Sequence, residues 1–180
     1  MNVMDAIRTR RSVRAYAATP IPTDVFKRMQ AALRWAPSAC NNQPWHFVLV
    51  SDAELRRQVA QAAREQTWMA QAPVIIVGCG LPSAAYKKMG GAGNSVDVDL
   101  AIAMDHLTLA AVAEGLGTCW IGAFDEQAVK TLLGIPPSVK VVALTPLGYP
   151  ARADLNRPSP ESRRKKLSEI FSTDTYGGLS

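Results

Sequence analysis

The pattern of this chain predicts an α+β domain: a small sheet, largely covered by helices, around one central helix. Three observations carry that expectation. Candidate strands and helices interleave, with helices in the majority. The segment Ser95–Gly115 is unusually apolar for a helix. The run Pro73–Gly78 (PVIIVG) is densely β-branched and suits a buried strand. With 180 residues, 48% apolar and 19% charged, a single domain over 1–180 with a sizeable core is expected.

Met1–Thr9 is a short helix candidate that ends in a basic run. Pro22 and Thr23 open a second helix, on which Phe26, Met29 and Leu33 form one apolar stripe. Trp35–Pro44 has loop chemistry, with prolines, Ser38 and the pair Asn41 and Asn42. His46–Val50 reads as a strand. Ser51 and Glu54 have capping-box spacing, which predicts a helix running towards Gln66. Leu81–Gly93 mixes Pro, Lys and Gly and reads as a mobile loop or lid. After the apolar helix comes a strand at Thr118–Ile121. Asp125 is a good N-cap for Glu126–Leu133, with Gly134 placed to end that helix and Pro136 beyond it. Val139–Leu144 is the last clear strand. From Pro150 onward the chain is polar and proline-rich, apart from Arg163–Phe171. That extension, about 151–180, has little core of its own to join and is expected to pack on a second copy.

Several function classes fall away. The formal charge of +5, from 20 basic against 15 acidic residues, is modest. It comes without the interleaved basic and aromatic stripe of a nucleic-acid binder. Cys40, Cys79 and Cys119 form no CxxC pair, so neither a disulfide framework nor a zinc site is indicated, and a reducing cytoplasm is the expected compartment. The first residues, with Asp5 and Arg8, lack the apolar core of a signal peptide. Val96–Leu116 carries Asp97, Asp99, Asp105, His106 and Glu114, too polar for a lone membrane span and better read as a buried helix.

Three stretches could carry chemistry. Arg10-Arg11-Ser12-Val13-Arg14 offers guanidinium forks and a hydroxyl suited to a phosphate, with Arg10, Ser12 and Arg14 on one side if extended. Taken alone it reads first as a solvated basic stretch. Ala36–Trp45 (APSACNNQPW) combines small residues with amides that can pair with an imide edge, although its composition also fits an ordinary turn before a strand. Gly115–Ala123 (GLGTCWIGA) could present backbone N–H groups to a ligand, or its Trp120 could simply be core.

Taken together, in order and spacing, these stretches resemble the FMN-dependent nitroreductase family. The resemblance runs from AIRTRRSVRAY, starting at Ala6, through APSACNNQPWHFVLV, the apolar helix with GLGTCWIG, LGIPPSVKVVALTPLGYP and the RRKKLSEIF tail. It implies a nitroreductase-like fold with a small, mostly antiparallel sheet surrounded by helices, in an intertwined homodimer with two FMN sites built from both chains. By position, Arg10, Arg11, Ser12 and Arg14 would contact the phosphate and ribityl side, and Arg164 would reach the phosphate from the tail. Pro37, Ser38, Ala39, Asn41 and Gln43 would lie against the isoalloxazine ring, offered by the other subunit. Trp120, Ile121, Gly122 and Ala123 would approach the N5 side.

The implied activity is transfer of electron pairs from NADH or NADPH to a small acceptor such as a nitroaromatic or a quinone, in ping-pong order. FMN does the chemistry, so no catalytic side chain is named. Arg14 near N1 and O2 would stabilise the anionic reduced flavin. Two readings stay open beside it: a specialised flavin enzyme of the same fold (dehydrogenase, dehalogenase or flavin-destroying synthase), and a non-catalytic flavin-binding or sensor protein. Position 67 is Thr where some relatives carry a basic residue. The role of Lys87–Gly93 is open between a ligand contact and plain surface.

Other signals do not hold together. Gly78-Cys79-Gly80 after a strand, with Asp97 roughly twenty residues on, hints at a dinucleotide fingerprint. Ser83 replaces the third glycine there and Pro82 sits where a helix should run. No P-loop or G-x-S-x-G elbow is present. His46 and His106 lack companions at ligand spacing, so no metal is expected.

Overall fold

The computed structural model describes residues 1–178. It holds five α-helices and a four-stranded sheet: α1 (Val3–Thr9), α2 (Thr23–Arg34), β1 (Trp45–Val50), α3 (Ala53–Ala62), β2 (Val74–Gly80), α4 (Val96–Ala113), β3 (Gly117–Thr118), α5 (Glu126–Leu133) and β4 (Lys140–Gly148). The strand order is β1-β2-β4-β3, and every strand pair is antiparallel. The α+β expectation is met, with α4 central to it.

Local chemistry explains the element ends. Asn2 caps α1 by accepting from the Asp5 N–H at 2.9 Å, so the helix begins two residues later than expected. At α3 the cap is Asp52, accepting from the Leu55 N–H at 2.8 Å, and not Ser51. Glu54 therefore builds no capping box and binds Arg57 and Gln58 instead. The same helix stops at Ala62, short of Gln66, because Arg64 and Glu65 both turn left-handed at φ 57°. For α5 the expectation holds: Asp125 accepts from the Ala128 N–H at 2.9 Å, and Gly134 closes the helix at φ 64°.

The sheet is longer in two places than the apolar runs suggest. β2 continues to Gly80 because α4 lies directly on its bare glycines. A Cβ at Gly78 would meet Leu100 at 2.8 Å, and one at Gly80 would meet Val96 at 2.5 Å. β4 continues past Leu144 to Gly148 through Pro146, which has no N–H to offer. That is tolerated because the neighbouring edge is interrupted there. β3 pairs at Leu147 and Gly148, and Ile121 bridges Leu144. Between them the Cys119 N–H turns to Thr145 Oγ1 at 3.2 Å. The expected strand Thr118–Ile121 is thus a two-residue strand at Gly117–Thr118 followed by a kink and a single bridge.

One face of the sheet packs on α4 and α2 through Met29, Leu33, Leu100, Met104 and Leu107. The other packs on α3 and α5 through Val59, Met69, Ile75, Val77, Val129 and Leu144. On α4 Val98 is 45% exposed, and Met4 and Ile7 of α1 are exposed as well. Among the described residues after Pro150 the chain makes only single helical turns, at Ala153–Leu155, Glu161–Arg163 and Leu167–Glu169. Leu167, Ile170 and Phe171 stand exposed on that segment. Among the described residues, no helix is long and apolar enough to cross a membrane.

Candidate functional site

The basic segment is extended and anchored from behind. It leaves α1 at Arg10, whose φ of −54° and ψ of 126° break the helix. Ser12 then bridges Thr118 in parallel, and the Val13 N–H donates to the Thr118 carbonyl at 2.9 Å. Val13 points into the protein, while Ser12 and Arg14 lie exposed on the opposite side. Tyr16 pins the same stretch: its hydroxyl donates to the Val13 carbonyl at 2.7 Å, and burial pushes that hydroxyl far above the usual tyrosine range. Trp68 stacks on Tyr16, with ring centres 6.5 Å apart and planes 13° apart. The Arg14 guanidinium sits 6.0 Å from the Trp68 ring centre. Among the described residues no carboxylate lies in ion-pair range of Arg10, Arg11 or Arg14. Their backbone is anchored and Arg14 is steadied by Trp68, and all three are left unneutralised among the described residues.

The segment Trp120–Ala123 adjoins them through Thr118. Burial pushes the Cys119 thiol up, against the opposing pull of Arg14, the Ser12 hydroxyl and Arg10. Ile121 is buried and exchanges backbone hydrogen bonds with Leu144, whereas Trp120, Gly122 and Ala123 are exposed. Around Gly122 an added Cβ would meet only Trp120 Nε1, at 3.8 Å, which leaves the backbone open to a ligand.

The tail returns to the same region. Ala17 donates to the Tyr149 carbonyl and Ala151 to that of Ala15, each at 2.9 Å, and Ser159 donates to Arg8 at 3.0 Å. Arg164 lines a hollow of about 810 Å³ with Ile7, Arg8, Lys165 and Lys166. The two basic clusters therefore approach each other at α1, with Arg164 beside Arg8 and not in one hollow with Arg10 to Arg14.

The amide loop is built differently. Cys40, Asn41 and Gln43 are left-handed, at φ 53°, 54° and 48°. Ser38 Oγ accepts from the Gln43 N–H at 2.8 Å, and the Gln43 amide donates to Asn41. Asp99, buried in α4, accepts from the Ala39 N–H at 2.9 Å. Pro37, Asn41 and Gln43 share a hollow of about 310 Å³ with Arg34 and Trp35, and Trp35 is 78% exposed.

This loop lies far from the basic segment. Trp45, where the loop ends, faces Gly80 and, across β2, Lys140; Ser12 faces Thr118, which pairs with Leu147. At about 3.4 Å per residue and about 4.8 Å between strands, Ser12 and Trp45 stand about 30 Å apart, at diagonal corners of the sheet. One chain brings together Arg10–Arg14 and Trp120–Ala123, and keeps Pro37–Gln43 apart from them.

The sequence reading missed Trp68, which steadies Arg14, the Arg34–Trp35 pair, and Asp99. Only Asp99 left a signal, as a carboxylate in a helix too apolar to bury one idly. A hollow of about 360 Å³ beside α3 is lined by Arg56, Arg57 and Thr67, but the Arg56 guanidinium is engaged by the Ala70 and Ala72 carbonyls and serves packing. Among the described residues no cluster of metal-ligating side chains occurs.

A profile of the nitroreductase family matches residues 7–73 and 63–149. The chain is 32% identical over 155 residues to a protein of Methanothermobacter thermautotrophicus with the provisional name NADH dehydrogenase/NAD(P)H nitroreductase, covering 84% of this chain and 78% of that one. It is 28% identical over 171 residues to an FMN reductase [NAD(P)H] of Bacillus subtilis, covering 87% of this chain and 69% of the relative. It shares its fold with a nitroreductase family protein of Clostridium difficile 630, at a TM-score of 0.86 and 23% identity, over 98% of this chain and 100% of that one.

Proposed function

The chain belongs to the nitroreductase family, and from that membership and the site's geometry we propose that it is an FMN-dependent oxidoreductase using NADH or NADPH to reduce a small acceptor. The observation that carries the reading is the set of unneutralised guanidinium groups at Arg10, Arg11 and Arg14, with the Ser12 hydroxyl, alongside the open backbone of Gly122. That donor set fits a phosphate joined to a ring that needs backbone N–H groups at its edge.

Arg10, Arg11 and Ser12 take the phosphate and ribityl side, and Arg164, which lies beside Arg8, joins them by a shift of the tail. Arg14, fixed by Trp68, supplies positive charge at the N1 and O2 edge. Trp120, Ile121, Gly122 and Ala123 line the N5 side. Pro37, Ser38, Ala39, Asn41 and Gln43 come from a second copy, because their loop ends at Trp45, about 30 Å from Ser12 across the sheet of one chain. The homodimer is thus part of the proposal, with Val98 of α4, Met4 and Ile7 of α1 and the tail from about 151 onward as its contact surfaces. The chemistry supplied by FMN when bound is ping-pong transfer of an electron pair from the nicotinamide to an acceptor such as a nitroaromatic or a quinone. This chain's residues bind, orient and shield; none acts as a nucleophile or base.

The purified protein is expected to be yellow, or to become so with added FMN, and to bleach under NADH or NADPH without oxygen. A colourless protein that takes up no FMN contradicts the proposal. Oxidation of the donor by several nitro or quinone acceptors marks a general reductase. Turnover with none of them favours a specialised flavin enzyme, and bound FMN that neither nicotinamide bleaches favours a storage or sensor role.

A further inference from the structure

The segment Leu81–Gly93 is more ordered than its composition suggests. After a turn in which Ala84 and Ala85 both donate to the Leu81 carbonyl, it forms a tight hairpin. Met89 and Gly93 exchange backbone hydrogen bonds at 3.0 and 2.7 Å around Gly90 and Gly91, both left-handed. Lys87 and Lys88 stand exposed on it, with no carboxylate in ion-pair range among the described residues.

The base of this hairpin is wired to the amide loop. The Tyr86 N–H donates to Ser95 Oγ at 3.1 Å, and the Ser95 hydroxyl donates to Asp99 Oδ2 at 2.7 Å. The other oxygen of Asp99 accepts the Ala39 N–H at 2.9 Å. Ser95 and Asp99 are 1% and 3% exposed, so the centre of this chain of donors and acceptors is buried. A buried carboxylate is costly unless its oxygens are met, and here one group meets both segments. The Ser95 N–H also donates to the Tyr86 carbonyl, at 2.9 Å, so the hairpin base is held from two sides.

We propose that Asp99 is a positioning residue coupling the Tyr86–Ser95 hairpin to the ring-side loop, so that Lys87 and Lys88 hold the diphosphate of the nicotinamide donor beside that loop. The assignment rests on the flavin reading above and adds to it the element that binds the donor. The position favours an anion: the hairpin adjoins the loop assigned to the ring, through the Leu81 N–H on the Pro44 carbonyl at 2.9 Å as well as through Asp99, and it carries Lys87 and Lys88 exposed and without a carboxylate in ion-pair range among the described residues.

The test compares K87A/K88A, S95A and D99N with the wild type. D99N keeps an oxygen for the Ala39 N–H but cannot accept the Ser95 hydroxyl proton in the same way. KM for NADH or NADPH is expected to rise about tenfold in K87A/K88A and in S95A, with kcat, acceptor KM and FMN content unchanged. D99N should follow S95A, and S95A added to K87A/K88A should cost nothing further, since both act through one hairpin. A second readout needs no turnover: trypsin cleavage after Lys87 and Lys88 should be faster in S95A and D99N, and NAD⁺ or NADP⁺ should slow it in the wild type. Unchanged donor KM and unchanged cleavage in S95A overturn the coupling, as does a rise confined to acceptor KM. A wild-type protein that binds no FMN overturns the flavin reading itself, a result separate from either.

Discussion

Gly117 shows how closely the site's anchor is packed. A Cβ built there would lie 2.7 Å from Val13 Cγ2 and 2.9 Å from Val13 Cβ, and Val13 is the inward-facing residue between Ser12 and Arg14. Gly117→Ala is therefore expected to cost about 1–3 kcal/mol, read by urea unfolding, because an overpacked site must shift its backbone. It should also weaken FMN binding, since the shift moves Ser12 and Arg14 away from Thr118. Unchanged stability and flavin content would show that this contact does not position them. At this scale the sequence was informative about chemistry and silent about support. The guanidinium groups were legible as a candidate phosphate set only beside the other stretches that resemble the family, whereas Trp68 and Tyr16, which steady Arg14 and Val13, meet them only through the fold.

Among the elements, α5 carries the clearest pH dependence. Glu126 Oε1 accepts from the Val141 N–H at 3.0 Å and pairs with Lys130 at 2.8 Å, and these partners hold its carboxyl below the usual glutamate range, the Lys130 bond first. A carboxyl lowered in the folded state stabilises it above the unfolded-state value and loses that contribution as pH falls through the folded one. Stability of the wild type should thus fall more steeply than that of Glu126→Gln as pH drops through the carboxylate range, the two curves meeting in acid. Parallel curves in denaturant midpoints would contradict the assignment. The similarly lowered Asp24, Glu54 and Glu114 are exposed pairs that salt screens, and they should add little. Element types were legible because periodicity and caps are local, as Asp125 and Gly134 show. Element ends were not. Gly78 and Gly80 look like loop residues until α4 lies on them, and Pro146 looks like a strand end until Cys119 turns away from it.

The whole molecule sets the distance that matters. Residue patterns pointed to three binding stretches, but only strand order and register reveal that two of them meet and the third stands at the opposite corner of the sheet. From this geometry follows the claim that each flavin site is built by two chains. Complementation tests it directly. One variant carries Arg10→Ala and Arg14→Ala, and the other carries Asn41→Ala and Gln43→Ala; each alone should hold little FMN. Mixed in equal amounts under conditions that let chains exchange, random pairing makes half the dimers mixed, each with one intact site, so about a quarter of all sites should regain flavin. A mixture as colourless as its parents, although mixed dimers form, would contradict a site shared between chains.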